Sequence, residues 1–243
     1  MARSAKDPKA LLPEIIQDFR EVFGNDLISL ILYGSAAGPE YDPARSDINL
    51  MAVLRPEAMG RLDETFSLVR KWRRKGCAVP LFLTERYIAG SLDVFPIEYL
   101  NFRSRYAMVY GKDVLRGLEL KPSLLRLQCE REIKGKLLLL REGFVESEGK
   151  RGTLEALIAD STGALTAIFR ALAALKGLET PGSRRALFAE VSRAFDLDGG
   201  VFERLLDVRD KKIKRAQVDM PALFKRYLAE MEKLSDAVDA MGG

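Results

Sequence analysis

Apolar positions change rhythm along this chain. Leu11, Leu12, Ile15, Ile16, Phe19, Val22 and Phe23 recur at helical spacing, which predicts a helix that Gly24 ends with a left-handed turn. Leu27 to Tyr33 is an apolar run of strand length between Asn25-Asp26 and Gly34. Ile48 to Leu54 is a second such run, ended by Arg55-Pro56. Pro56 and Glu57 suit the first turn of another helix, expected to reach Lys75 and stop at Gly76. Cys77 to Thr84 reads as a third strand, with Pro80 marking an edge or a bulge. Thr84 is a candidate N-cap for a short helix, and Pro96 to Phe102 is expected as a fourth strand. Helices mixed with strands in this order imply an α/β or α+β layered domain.

Beyond Lys121-Pro122-Ser123 the strand signals stop. Leu124 to Phe144, Thr153 to Leu175, Arg184 to Phe195, Val201 to Arg215 and Pro221 to Met241 carry helix-period apolar positions. They are separated by breaks such as Glu148-Gly149-Lys150-Arg151-Gly152 and Thr180-Pro181-Gly182. Five helices with short connections read as a bundle. The expected organisation is therefore residues 1–120 as an α/β domain and residues 121–243 as a helical bundle.

Composition narrows the chemistry. The 243 residues are 47% apolar and 30% charged, which suits a chain that folds around a core. There is no His, so Ser-His-Asp and Cys-His nucleophile pairs, imidazole proton shuttles and His-bearing zinc sites are excluded. Catalysis would rest on carboxylates, Lys, Tyr, hydroxyls or a metal held by oxygen. Cys77 and Cys129 are too few for a disulfide framework and read as reduced thiols of a cytoplasmic protein. The opening residues lack the apolar core of a signal peptide, and the longest uncharged run, the 13 residues Leu27 to Pro39, is too short to span a bilayer. No membrane partner is expected. The net charge of +4 is spread as +1 through residue 120 and +3 beyond it, so nothing argues for nucleic acid as a partner.

The candidate chemistry lies in Leu30-Ile31-Leu32-Tyr33-Gly34-Ser35, an 11-residue gap, then Asp47-Ile48-Asn49-Leu50-Met51. A strand running into Gly34-Ser35 brings backbone N–H groups and a hydroxyl to a turn where a polyphosphate could be cradled. Asp47 and Asn49 are two apart in the next strand and so share one face. Two oxygen-bearing side chains there could bind a hard cation such as magnesium. Glu98, flanked by apolar residues, is a third acid that needs a partner, with Arg103 or Arg105 nearby in sequence. Taken singly each feature also reads as structure: Gly34-Ser35 as a turn, Asp47 as a strand opening, Glu98 as half of an ion pair.

Together they resemble the nucleotidyltransferase superfamily of DNA polymerase β, and most nearly its minimal and aminoglycoside (kanamycin) members, which append a helical domain to a small core. Phe95-Pro96-Ile97-Glu98-Tyr99-Leu100 followed by Val109-Tyr110-Gly111-Lys112-Asp113 adds to the likeness. The resemblance covers residues 12 to 115 by order of elements. It implies an α+β fold, a nucleotidyltransferase-type mixed β-sheet with helices, followed by an all-α bundle. It further implies that Gly34 and Ser35 hold a triphosphate, that Asp47 and Asn49 with Glu98 bind Mg2+ or Mn2+, and that Glu98 ligates metal or takes the acceptor's proton. The implied reaction moves a nucleoside monophosphate from an NTP, ATP foremost, to a hydroxyl of an acceptor, small molecule or protein, releasing pyrophosphate. Family members often pair, so a homodimer is compatible with the resemblance.

Two departures stand out. Asn49 replaces a family acid, and an amide offers one neutral carbonyl oxygen in place of a carboxylate. Ala37-Gly38-Pro39 stands where many members carry an Arg. The alternative is a catalytically degenerate module that keeps the fold and binds nucleotide or a protein without catalysis. Of two basic clusters, Arg70-Lys71 with Arg73-Arg74-Lys75 reads as a solvated helix end, and Lys211-Lys212 with Lys214-Arg215 as a solvated basic face or a surface for an anionic substrate. Trp72, between the first two, is expected in the core rather than stacked on a base. The ribonuclease motif found in some helical partner domains needs a His and is excluded.

Overall fold

The computed structural model describes residues 7–38, 41–43, 46–179, 182–212 and 218–242. The chain divides into two compact units, residues 1–92 with 99–119, and residues 93–98 with 120–243.

In the first unit, helix α1 (Pro8–Phe23) is capped by the Asp7 carboxylate and ends at Gly24, which has φ +53°. Strands β1 (Leu27–Tyr33) and β2 (Asn49–Leu54) follow, as their apolar runs predict. Pro56 to Thr65 is a 3-10 stretch with a kink at Arg61, and only then comes α2 (Phe66–Arg74). The expected single helix over 56–75 is thus two pieces. Gly60 and the non-helical Arg61 break the stripe between them.

The third strand is also shorter than expected. Cys77 makes one isolated parallel bridge to Ile48, Pro80 interrupts, and β3 is Leu81–Leu83. Pro80 cannot donate to a ladder, which is what sequence predicts at an edge. Helix α3 (Glu85–Gly90) starts where Thr84 accepts from the Tyr87 N–H at 3.0 Å.

Pro96 to Phe102 is a helix, α4 (Pro96–Ser104), rather than the expected fourth strand. Pro96 in its first position and Glu98 in its first turn are helix-start residues, and these outweigh the apolar flanks that suggested a strand. The fourth strand is β4 (Tyr106–Gly111). It ends at Gly111, φ +78°, where a Cβ would fall 2.0 Å from the Ile28 carbonyl oxygen, so no other residue fits without a shift.

The sheet order is β3-β2-β1-β4, with β1 antiparallel to β2 and β4, and β2 parallel to β3. One face packs on Leu11, Ile15, Phe19 and Phe23 of α1 and on Trp72 of α2, together with Leu30, Leu32, Leu50 and Ala52. Trp72 is 2% exposed and donates its Nε1–H to Asp18 at 2.9 Å, which places it in the core as expected.

In the second unit, α5 (Pro122–Glu146), α6 (Arg151–Leu175), α7 (Arg184–Ala194), α8 (Gly199–Arg209) and α9 (Met220–Asp239) stand where the five helices were predicted, except that α8 stops at Arg209 with Asp210 as its C-cap, short of the expected Arg215. Residues 213–217, including Lys214 and Arg215, lie outside the described residues, as do Thr180 and Pro181. Helix α6 touches all four others, and Phe169 meets Phe188 and Phe202 at ring distances of 4.5 and 5.4 Å. By length and composition α6 is apolar enough to cross a membrane. Its place at the centre of the bundle accounts for that apolarity, and its charges Arg151, Glu155, Asp160 and Arg170 hid it from the uncharged-run criterion.

Candidate functional site

Register brings the motif residues to one end of the β1–β2 pair. Tyr33 pairs with Asn49, so Gly34 and Ser35 leave β1 beside the point where Asp47 leads into β2. Gly34 has φ +76°, and a Cβ there would stand 3.4 Å from Asn49 Nδ2. The left-handed conformation is what requires the glycine, and the Asn49 amide lies beside it. Gly34 to Ala37 then forms a short 3-10 turn closed by the Gly38 N–H to the Ser35 carbonyl at 3.0 Å.

The Gly34 N–H itself is committed, donating to the Arg105 carbonyl at 3.0 Å. Arg105 precedes β4, and its side chain crosses the same turn: a Cβ on Gly38 would fall 2.8 Å from Arg105 Cδ. Arg105 brings a cation to the turn where the sequence has Ala37-Gly38-Pro39, Pro39 lying outside the described residues. Sequence reasoning weighed Arg105 only as a partner for Glu98. No local signal marks it, because the approach is created by the Tyr33–Tyr106 pairing of β1 and β4.

Asp47 is exposed and borders a cavity of about 860 Å³ between α2 and β3. The cavity walls include Phe66, Val69, Val79 and Phe82, with Arg70, Arg73 and Arg74 from α2. Lys71 and Lys75, on the same helix, turn instead to α1: Lys71 pairs with Asp18 at 2.5 Å and Glu14 at 3.0 Å, and Lys75 with Glu14 at 2.7 Å. The Lys75 and Lys71 hydrogen bonds hold the Glu14 carboxyl below its usual range. Cys77 sits under the cavity. Burial pushes its thiol up to about 11, and the Asp47 charge adds to the shift.

Glu98 is set differently from the other candidates. It lies in the first turn of α4, not on a strand, and groups with the second unit. The buried Gln128 of α5 holds it: Gln128 Nε2 donates to Glu98 Oε2 at 2.8 Å, while Gln128 Oε1 accepts the Ile97 N–H at 2.7 Å. Arg103 donates to the Leu118 carbonyl. Sequence reasoning missed Gln128, whose signal was a polar residue in the middle of an apolar helical stripe.

Gly34, Ser35, Asp47 and Asn49 thus gather at one strand end in the first unit, while Glu98 is held by a residue of the second. Among the described residues no three His, Cys, Asp or Glu side chains cluster to hold a metal ion. The oxygen donors at the strand end are one carboxylate and one amide. That set fits a hard cation that takes its remaining ligands from water and phosphate.

Neither a protein-family model nor a curated protein matches this sequence. Among solved structures, the chain is similar to the spectinomycin adenyltransferase AAD(9) of Enterococcus faecialis, whose crystal structure contains ATP and spectinomycin. The TM-score is 0.56 at 12% sequence identity, over 92% of this chain and 99% of that one. A four-stranded mixed sheet with its helices, continued by five helices, is thus the α+β nucleotidyltransferase fold that the motif resemblance implied.

Proposed function

We propose that this chain is a nucleotidyltransferase that moves a nucleoside monophosphate from ATP to a hydroxyl of a small-molecule acceptor, with magnesium. The observation that carries the reading is the Tyr33–Asn49 register, which sets Gly34 next to Asn49 and Asp47 at the end of β1 and β2. A fold shared with an ATP-bound adenyltransferase supports it.

Gly34 and Ser35 would line the phosphates, with Arg105 as the nearby cation. Asp47 and the Asn49 carbonyl would hold magnesium, which when bound neutralises charge on the phosphates. The acceptor oxygen attacks the α-phosphorus as its bond to the bridging oxygen breaks, and pyrophosphate leaves. By the family resemblance, Glu98 would take the hydroxyl proton. Incubation with α-labelled ATP, magnesium and candidate acceptors tests the reading. Transfer lost in Asp47→Ala supports it, and transfer unchanged in that variant overturns it.

A second reading is favoured by Asn49 and by the absence of a three-acid cluster among the described residues. In it the chain binds nucleotide without transferring it. Binding would then be indifferent to magnesium, and no labelled product would form.

A further inference from the structure

Among the described residues, all but three of the cations of α2 and of the turn before it have an acid. Lys71 and Lys75 pair with α1, and Arg61, just before α2, pairs with Asp26 at 2.7 Å. Arg70, Arg73 and Arg74 have no ion pair among the described residues, and all three line the cavity between α2 and β3. Three like charges within five residues repel one another, and among the described residues the only acid on the cavity wall is Asp47 at its rim. Beside them lie Phe66, 67% exposed, and Val79, 58% exposed, on the same wall. Exposed apolar side chains next to unneutralised guanidinium groups make a two-part surface, and a volume of about 860 Å³ is the size of a small-molecule site.

We propose that this groove binds a phosphorylated small molecule with an apolar body, its phosphate on Arg70, Arg73 and Arg74 and its body on Phe66 and Val79. Charge complementarity selects the class. A dianionic phosphate matches three guanidinium forks better than a carboxylate does, and a polycation is repelled. Nucleic acid would need a longer basic track than one helix face, and the first 120 residues carry a net charge of only +1. Because Asp47 forms the rim, the groove delivers its ligand beside the transfer site. Resting on the transfer reading, the acceptor class is then an anionic hydroxyl compound with an apolar portion.

The test is calorimetric titration of the full chain with phenyl phosphate, inorganic phosphate, benzoate and cyclohexylamine, which reads binding with no transfer required. Phenyl phosphate is expected to bind, and the combined Arg70→Gln, Arg73→Gln, Arg74→Gln variant to weaken it about tenfold or more. Phe66→Ser is expected to weaken phenyl phosphate while leaving inorganic phosphate unchanged, which separates the two halves of the groove in a variant that removes no charge. Equal affinity in the arginine variant, preference for benzoate or cyclohexylamine, or tighter binding of a single-stranded oligonucleotide or an acidic peptide overturns the proposal. Binding as expected of 4-(hydroxymethyl)phenyl phosphate, which carries the hydroxyl that phenyl phosphate lacks, with no label passing to it from ATP, would leave the groove assignment standing and count against the transfer reading.

Discussion

Asn49 lies against Gly34, close enough that a single methyl group on the glycine would touch the amide nitrogen at 3.4 Å. The two residues come from different strands, and the Tyr33–Asn49 register brings them together. Gly34→Ala therefore carries a backbone penalty. The positive φ costs about 1 to 2 kcal/mol in a residue with a Cβ, and the added methyl narrows the space beside the Asn49 amide to van der Waals contact. Denaturant unfolding should show that loss, and nucleotide affinity should fall with it. Unchanged stability and affinity would mean that the turn is not held as described.

Asn49→Asp separates the two functional readings. A second carboxylate beside Asp47 should strengthen magnesium binding and raise metal-dependent transfer about tenfold, roughly 1.4 kcal/mol. Steady-state label transfer across magnesium concentrations measures it. A fall in transfer would show that the amide suits the native chemistry.

The Gln128 bridge predicts a stability effect at the start of α4. Gln128 is 4% exposed and satisfies both the Ile97 N–H and the Glu98 carboxylate. Gln128→Ala removes both of these hydrogen bonds from a buried place and should cost about 1 to 3 kcal/mol. Gln128→Glu keeps an acceptor for Ile97 but sets two carboxylates together, so its stability should recover as pH falls and one of them protonates. Thermal melts of both variants between neutral and mildly acidic pH check the pair.

Both thiols predict a loss of stability at alkaline pH. Burial raises Cys129 from 9.0 to about 12 and Cys77 from 9.0 to about 11. The folded state keeps both protons where the unfolded chain releases them, so the unfolded state binds fewer protons above pH 9 and stability falls as pH rises toward 11. The slope approaches about 1.4 kcal/mol per pH unit for each thiol. Cys77→Ala with Cys129→Ala should flatten it in urea unfolding series at stepped pH. An identical slope in the double variant would assign the loss to other groups. Below pH 9 neither thiol should react with a thiol reagent until the chain unfolds.

The helices of the second unit were legible because each carries a long periodic stripe bounded by strong signals: Ser183, Asp198 and Asp219 cap α7, α8 and α9, where local chemistry and packing agree. The first unit was legible as far as β1 and β2, whose apolar runs are buried on both faces. The error over Pro96 to Phe102 arose because a short apolar segment fits strand and helix alike, and Pro96 with Glu98 decided for the helix. Tyr106 to Gly111 was noticed only as a motif, although its aromatic and β-branched residues suit a strand. At the site, Gly34, Ser35, Asp47 and Asn49 could be read from spacing on neighbouring strands. Arg105 could not, since it acts through a tertiary approach that leaves no pattern in sequence, and Gln128 left only the faint mark of a polar residue inside an apolar stripe.

The central claim is that Asp47 and the Gly34 turn form a magnesium-assisted nucleotide site. Calorimetric titration with a non-hydrolysable ATP analogue, with and without magnesium, tests it without knowledge of the acceptor. The native chain should bind the analogue about tenfold more tightly with magnesium, and Asp47→Ala should bind it equally weakly in both conditions. Native binding that ignores magnesium, or an undiminished magnesium effect in Asp47→Ala, would contradict the account.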